Sequence, residues 1–261
     1  MEIKDLFKIL EKLAPGLSSV DFKNSVIRKS DRKITRLGVC VDPTVKNIES
    51  AAKQGIEVLI SYHPWQGEAA QFIQKQGMEI WPLHAAWDNT PEGVTYTLAK
   101  AIGVTSIYLK GELIIGTLET SLRDLIERCQ HSLGQNILSF SGDLKQLVIK
   151  VAIWAGPGFL PNYKKFWEVC LAEGCDTVLS SELTLSALRY SQAHQLKFVD
   201  LGHSAMAKPG MSHLMEILKE YLTIHDCSIE YLDDIYSCNF YTNCAFADQY
   251  TESEDIFFTT E

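Results

Sequence analysis

No apolar run in this 261-residue chain approaches the roughly 20 residues that a membrane-spanning helix needs. The opening MEIKDLFKILEKLAPG also lacks the small-residue cleavage site of a secretory leader. It has instead the period of an amphipathic helix, with Ile3, Phe7, Leu10 and Leu13 on one face. The expectation is a cytoplasmic protein with no membrane partner. No C-x-x-C pair occurs: the seven cysteines stand at 40, 129, 170, 175, 227, 238 and 244, an odd and unpatterned set. That fits reduced thiols packed as small hydrophobes better than a disulfide frame or a zinc knuckle.

Cationic residues are also in short supply. Lys and Arg total 24 against 33 Asp and Glu, a net charge of −9, which argues against nucleic acid as a partner. The one basic stretch, DFKNSVIRKSDRKITR, reads as a solvated loop before a strand. Phosphate-cradling loops of the P-loop or dinucleotide type are missing, and GPGF (156–159) reads as a structural turn. No serine-centred nucleophile elbow is present.

Hydrophobic residues at 46% and charged ones at 22% are ordinary for a globular chain, and the length suits one large domain or two small ones. Strand-like and helix-like segments alternate. LGVCV (37–41), IEVLIS (56–61) and EIWPL (79–83) read as buried strands. Asp42 with Pro43 reads as a helix start, and Asn89 or Thr90 with Pro91 as another. KVAIWAG (150–156), CDTVLSS (175–181) and LKFVDLGH (196–203) repeat the pattern. Aligning Gly55 with Gly174 also aligns Ser61 with Ser180, His63 with Glu182 and His84 with His203. The expected fold is α/β, with duplicated αβ halves built on parallel-type sheets and related by a pseudo-twofold. The expected divisions are a first half over 1–103, a smaller αβ insert over 104–149, a second half over 150–232 and an acidic tail over 233–261.

In open parallel sheets, ligands bind beyond the carboxyl ends of the strands. His63, His84, Asp88 and His203 all lie at or just after such ends. Imidazole nitrogens with a carboxylate oxygen suit Zn, Fe, Mn or Ni. Each histidine alone reads more readily as a structural residue; together at equivalent strand ends they point to a metal site.

ISYHPW, PLHAAWDNTPEGVTYTLAKAIG, GELIIGTLE and VDLGHSAMAKPG, in this order over about residues 1–232, resemble the Nif-three-like family. Its members are also called GTP cyclohydrolase 1 type 2 homologs. The resemblance implies two αβ halves around a dinuclear metal centre, a toroidal homohexamer and a nucleotide-like substrate. It implies His63, Asp88 and His203 as metal ligands. Two expected ligands are replaced: Tyr62 stands where a first histidine belongs, and Ala207 where a bridging glutamate belongs. Glu68, in Trp65-Gln66-Gly67-Glu68, is a candidate substitute. Two cations about 3.5–4 Å apart need bridging anions, so the expectation is at most one divalent cation per chain. Two functions compete. One is a metal-dependent hydrolase with His84 as its catalytic proton shuttle; the other is a catalytically degenerate binding or regulatory assembly protein.

Overall fold

The computed structural model describes residues 1–17, 32–65, 77–88, 90–135, 137, 139–223 and 225–232. The candidate Glu68, the cap residue Asn89, most of the basic stretch and the acidic tail lie outside them. The first αβ unit runs α1 (Ile3–Leu13), β1 (Arg36–Cys40), α2 (Val45–Lys53), β2 (Val58–Ser61), β3 (Glu79–Pro82), α3 (Ala85–Asp88) and α4 (Val94–Ala101). Then come β4 (Thr105–Lys110), β5 (Leu113–Ser121), α5 (Leu122–Leu133) and β6 (Ser139–Phe140). The second unit holds β7 (Leu147–Ile153), α6 (Lys164–Ala172), β8 (Thr177–Ser180), α7 (Leu185–His194) and β9 (Lys197–Asp200), followed by α8 (His203–Leu222) and β10 (Ser228–Tyr231).

Two sheets result. The first has order β10-β1-β2-β3 and is parallel throughout. The second has order β4-β5-β7-β8-β9-β6, with β7, β8 and β9 parallel and the other pairings antiparallel. β1, β2, β3 and β8 are buried nearly throughout because both their faces are covered. On β2, Val58 and Ile60 join the main core between the sheets, while Leu59 joins a smaller cluster with Ile48 and Ala51 of α2. On the far face of the second sheet, Ile115, Ala152, Val178 and Phe198 pack with Trp167 and Cys170 of α6.

The duplication extends to individual hydrogen bonds. The Glu57 carboxylate accepts the N–H groups of Thr35 (2.7 Å) and Arg36 (3.2 Å). Asp176 does the same for Ile149 (2.8 Å) and Lys150 (3.0 Å) at the start of the second unit's sheet. The helices before β2 and β8 both end at a left-handed glycine, Gly55 (φ 70°) and Gly174 (φ 72°), where a side chain would be strained. The offset is 119 from Ser61 to Ser180 but 118 between their ladder partners Pro82 and Asp200. The ladder therefore equates His84 with Gly202, and His203 comes one residue later, as the first residue of α8.

Residues 104–149 are not a separate insert. Their strands β4 and β5 extend the edge beside β7, and β6 closes the opposite edge beside β9. The apolar side chains Ile114 and Leu118 have no core of their own and complete the main one. The last strand also departs from the expected division: β10 pairs with β1 of the first sheet, Ile229 opposite Leu37. Helix α8 carries the chain back across the core. Its approach to α4 depends on Gly210, where a Cβ would lie 2.6 Å from the Val94 Cα.

Candidate functional site

The carboxyl ends of β2, β3, β8 and β9 deliver four of the site's side chains. β2 ends at Ser61, whose hydroxyl donates to the His63 carbonyl (2.7 Å) and shapes the turn that carries Tyr62 and His63. β3 ends at Pro82, and His84 follows with φ 38°. β8 ends at Ser180, followed by Glu182 with φ 67°. After β9, Asp200 accepts the N–H groups of Leu183 (2.8 Å) and Gly202 (2.9 Å), tying the β8 and β9 ends together. Non-glycine residues with positive φ cost energy and persist where surrounding structure imposes them; of the four among the described residues, His84, Ser106, Glu182 and Gln195, two lie in the site.

Three imidazoles converge. The His63 ring centroid lies 5.0 Å from that of His203 and 5.8 Å from that of His84. Tyr62 stacks on His84 at 5.6 Å. His63 Nδ1 bonds Asp42 Oδ1 at 2.7 Å, and His203 Nδ1 contacts Glu182 Oε1 at 3.4 Å. A carboxylate at Nδ1 places the proton there and leaves the Nε2 lone pair facing outward. Deepest in the site, the buried Tyr62 hydroxyl donates to Asp88 Oδ1 at 2.5 Å. Exposure rises steadily outward: the side chains of Asp42, His63, His203 and Glu182 are 11, 17, 32 and 47% exposed.

The electrostatics follow from this gradient. Burial pushes the Asp88 carboxyl up to about 7, with the Tyr62 hydrogen bond and His63 working against it and Glu112 adding to it. Burial and the neighbouring Asp88 hold the Tyr62 phenol well above its usual value. Desolvation, then His63 and His203, lowers His84; desolvation, then His63, lowers His203, with Glu182 and Asp42 partly offsetting this. For Asp42, burial pushes upward, but bonds from His63 and Ser204 outweigh it and leave the carboxyl below its usual value.

Among the expected ligands, His63 and His203 are brought together edge to face, their planes 78° apart, whereas Asp88 is bonded to Tyr62. His84 packs beside them, its ring centroid 5.8 Å from that of His63. Asp42 and Glu182 were not anticipated as site residues. Asp42 reads as a helix cap in sequence, but the cap of α2 is Thr44, whose hydroxyl accepts from the Asn47 N–H, and Asp42 turns to His63 instead. The repeat alignment of Glu182 with His63 was the one signal that marked position 182.

The described residues do not fit a dinuclear metal centre. Ala207 lies one helical turn beyond His203 and is fully buried in the apolar core, so this position offers no carboxylate to bridge two cations. The Tyr62 hydroxyl keeps its proton and donates it to Asp88. Among the described residues, no group of three His, Cys, Asp or Glu side chains is arranged to hold a metal ion.

The sequence profile of the Duf34/NIF3 (NGG1p interacting factor 3) family matches residues 1–233. A GTP cyclohydrolase 1 type 2 homolog of Clostridium perfringens is 24% identical over 260 residues, spanning 89% of this chain and 95% of the relative. Another, from Methanocaldococcus jannaschii, is 21% identical over 88% of this chain and 100% of its own length. In three dimensions the chain resembles reduced HcgD from Methanocaldococcus jannaschii, with a TM-score of 0.75 at 22% identity over 90% of this chain and 98% of that one. A Bacillus cereus protein related to NIF3 superposes with a TM-score of 0.75 at 14% identity, over 90% and 97%. With a family profile covering nearly all of the described chain and an α/β fold shared with solved relatives, the chain belongs to the Duf34/NIF3 family.

Proposed function

We propose that this Duf34/NIF3 chain is a small-ligand binding protein whose cleft works without a resident dinuclear metal centre, rather than a two-metal hydrolase of the GTP cyclohydrolase type. The observation that carries this reading is the bond between the Tyr62 hydroxyl and Asp88 (2.5 Å). A buried carboxylate needs a partner, and here a side chain supplies it in place of a cation. Asp42 and Glu182 do the same for His63 and His203. The site is thus closed on itself by hydrogen bonds. Assembly as a homohexamer in the cytoplasm belongs to this proposal through the family resemblance alone.

A second reading keeps one divalent cation, Zn, Fe, Mn or Ni, on His63 and His203. It is favoured by the carboxylate contacts at both Nδ1 atoms, an arrangement that also orients metal-bound imidazoles. The test is elemental analysis of protein purified with neither chelator nor added metal. Well under one equivalent per chain is expected. One equivalent retained through dialysis would move the assignment to the second reading, with Asp88 freed from Tyr62 as the third ligand. Two equivalents would overturn both.

A further inference from the structure

A pocket of about 480 Å³ lies where the C-terminal end of α5 meets α8. It is lined by His131, Ser132 and Gly134 from the end of α5, by Lys208 and Ser212 of α8, and by Tyr231 at the end of β10. Lys208 follows His203 by five residues, about 140° around the helix at about 100° per residue. The two side chains therefore leave α8 in different directions, the histidine toward the cleft and the lysine toward this pocket. The left-handed Gly134 that ends α5 (φ 64°) leaves the wall open, since a Cβ there would meet nothing within 4 Å.

The lining carries several donors and, among the described residues, no carboxylate. Lys208 is half-buried and makes neither an ion pair nor a hydrogen bond with any described residue. Taking an ammonium partly out of water without an anion beside it costs free energy. The plain role for this lysine is to bond the open carbonyls at the C-terminal end of α5, yet no such bond from its Nζ forms. Ser212 lies one turn along α8 on the same face and has no partner among the described residues; nor has the exposed His131 ring. Ser132 reaches the Ala101 carbonyl only at 3.4 Å. On the other side of His131, Asp124 and Glu127 line a neighbouring groove with Arg128, which confines an anion to the α8 side.

We propose that this pocket is a second binding site, separate from the cleft and independent of its metal content, for the phosphate group of a small phosphate ester. Lys208 supplies the charge. The ring N–H of His131 and the hydroxyls of Ser132 and Ser212 supply further donors for the three non-ester oxygens. A carboxylate, with two oxygens and a single charge, leaves some of these donors unused. The acidic segment 233–261 begins two residues after Tyr231 in the sequence and is the competing source of an oxyanion.

The test is titration of the full chain with inorganic phosphate, in chelator and at fixed ionic strength, followed by phosphorus NMR, with acetate titrated calorimetrically alongside. Phosphate is expected to bind at one saturable site and acetate about tenfold more weakly, as lost charge-assisted contacts imply. Lys208→Met, which keeps the apolar stem, should weaken phosphate about tenfold or more, and Ser212→Ala severalfold. Lys208→Arg, which keeps the charge, should stay within severalfold of the wild type, and His63→Ala in the cleft should leave the affinity unchanged; thermal melts check that each variant folds. Acetate binding as tightly as phosphate would overturn the ligand class. A phosphate affinity indifferent to Lys208→Met, or one lost in His63→Ala instead, would overturn the site. Binding that emerges only in the Asp233→Asn, Asp234→Asn double variant would show that a carboxylate of this chain fills the pocket, and would overturn the proposal as well.

Discussion

Replacing Asp88 by asparagine probes the buried end of the cleft most directly. Asp88 is 8% exposed, and burial, opposed by Tyr62 and His63 and aided by Glu112, lifts its carboxyl from an ordinary 3.8 to about 7. Between those values the folded chain holds a proton that the unfolded chain has released. The contribution of Asp88 to stability is therefore complete below about pH 4 and is lost as the pH rises through 7. About three tenfold steps at 1.36 kcal/mol each set a ceiling of about 4 kcal/mol for that loss. Asparagine carries no charge at any pH, and its amide oxygen still accepts the Tyr62 hydroxyl. Asp88→Asn should thus lie within about 1 kcal/mol of the wild type at about pH 4.5 and exceed it by about 2–4 kcal/mol at about pH 8. His84 and His203, whose imidazoles are lowered, act with the opposite sign: the unfolded chain binds their protons more readily, so stability rises as the pH climbs to about 6.5. That term is common to both proteins and cancels in the difference. Urea unfolding in chelator across this pH range is the assay. Parallel stability curves would refute the claim that Asp88 is held as a partly protonated, desolvated group.

Restoring the family ligands gives a second outcome: Tyr62→His with Ala207→Glu should raise bound metal in a titration, non-additively because the two groups share one network. Ala207→Glu alone buries an unpaired carboxylate in the apolar core and should lower stability in chelator by a few kcal/mol, with added metal rescuing the double variant; a double variant that binds no more metal than the wild type would mean the cleft is not a converted metal site. Gly210→Ala should destabilise by about 1–3 kcal/mol, since its Cβ would meet the Val94 backbone at 2.6 Å, and a neutral effect in denaturant unfolding would show that α4 and α8 do not approach so closely.

The sequence by itself determined the local elements and the duplication. Period and glycine stops are short-range signals, so β2 and β8 fall where the apolar runs do, and Gly55 and Gly174 end their helices as left-handed residues; the caps fall elsewhere than the sequence suggests, at Thr44 rather than Asp42 and at Gly93 rather than Asn89 or Thr90. The strand ends also marked His63, His84, Asp88 and His203 as neighbours of one cleft, because side chains that follow parallel strands share an edge. Which strand sits beside which, however, depends on contacts far apart in the chain. Nothing local distinguishes β10 as a partner of β1, nor places β4, β5 and β6 in the second sheet rather than in a separate insert; burial of Ile114 and Leu118 in the common core decides it. The pairings inside the site are of the same kind. Asp42 could cap its own helix or turn to an imidazole 21 residues away, and only the juxtaposition of β1 with β2 makes the second arrangement available. Likewise, Tyr62 in sequence stands at a ligand position, while the tertiary structure makes it the partner of Asp88, because a buried carboxyl takes a neighbouring hydroxyl as its hydrogen-bond partner.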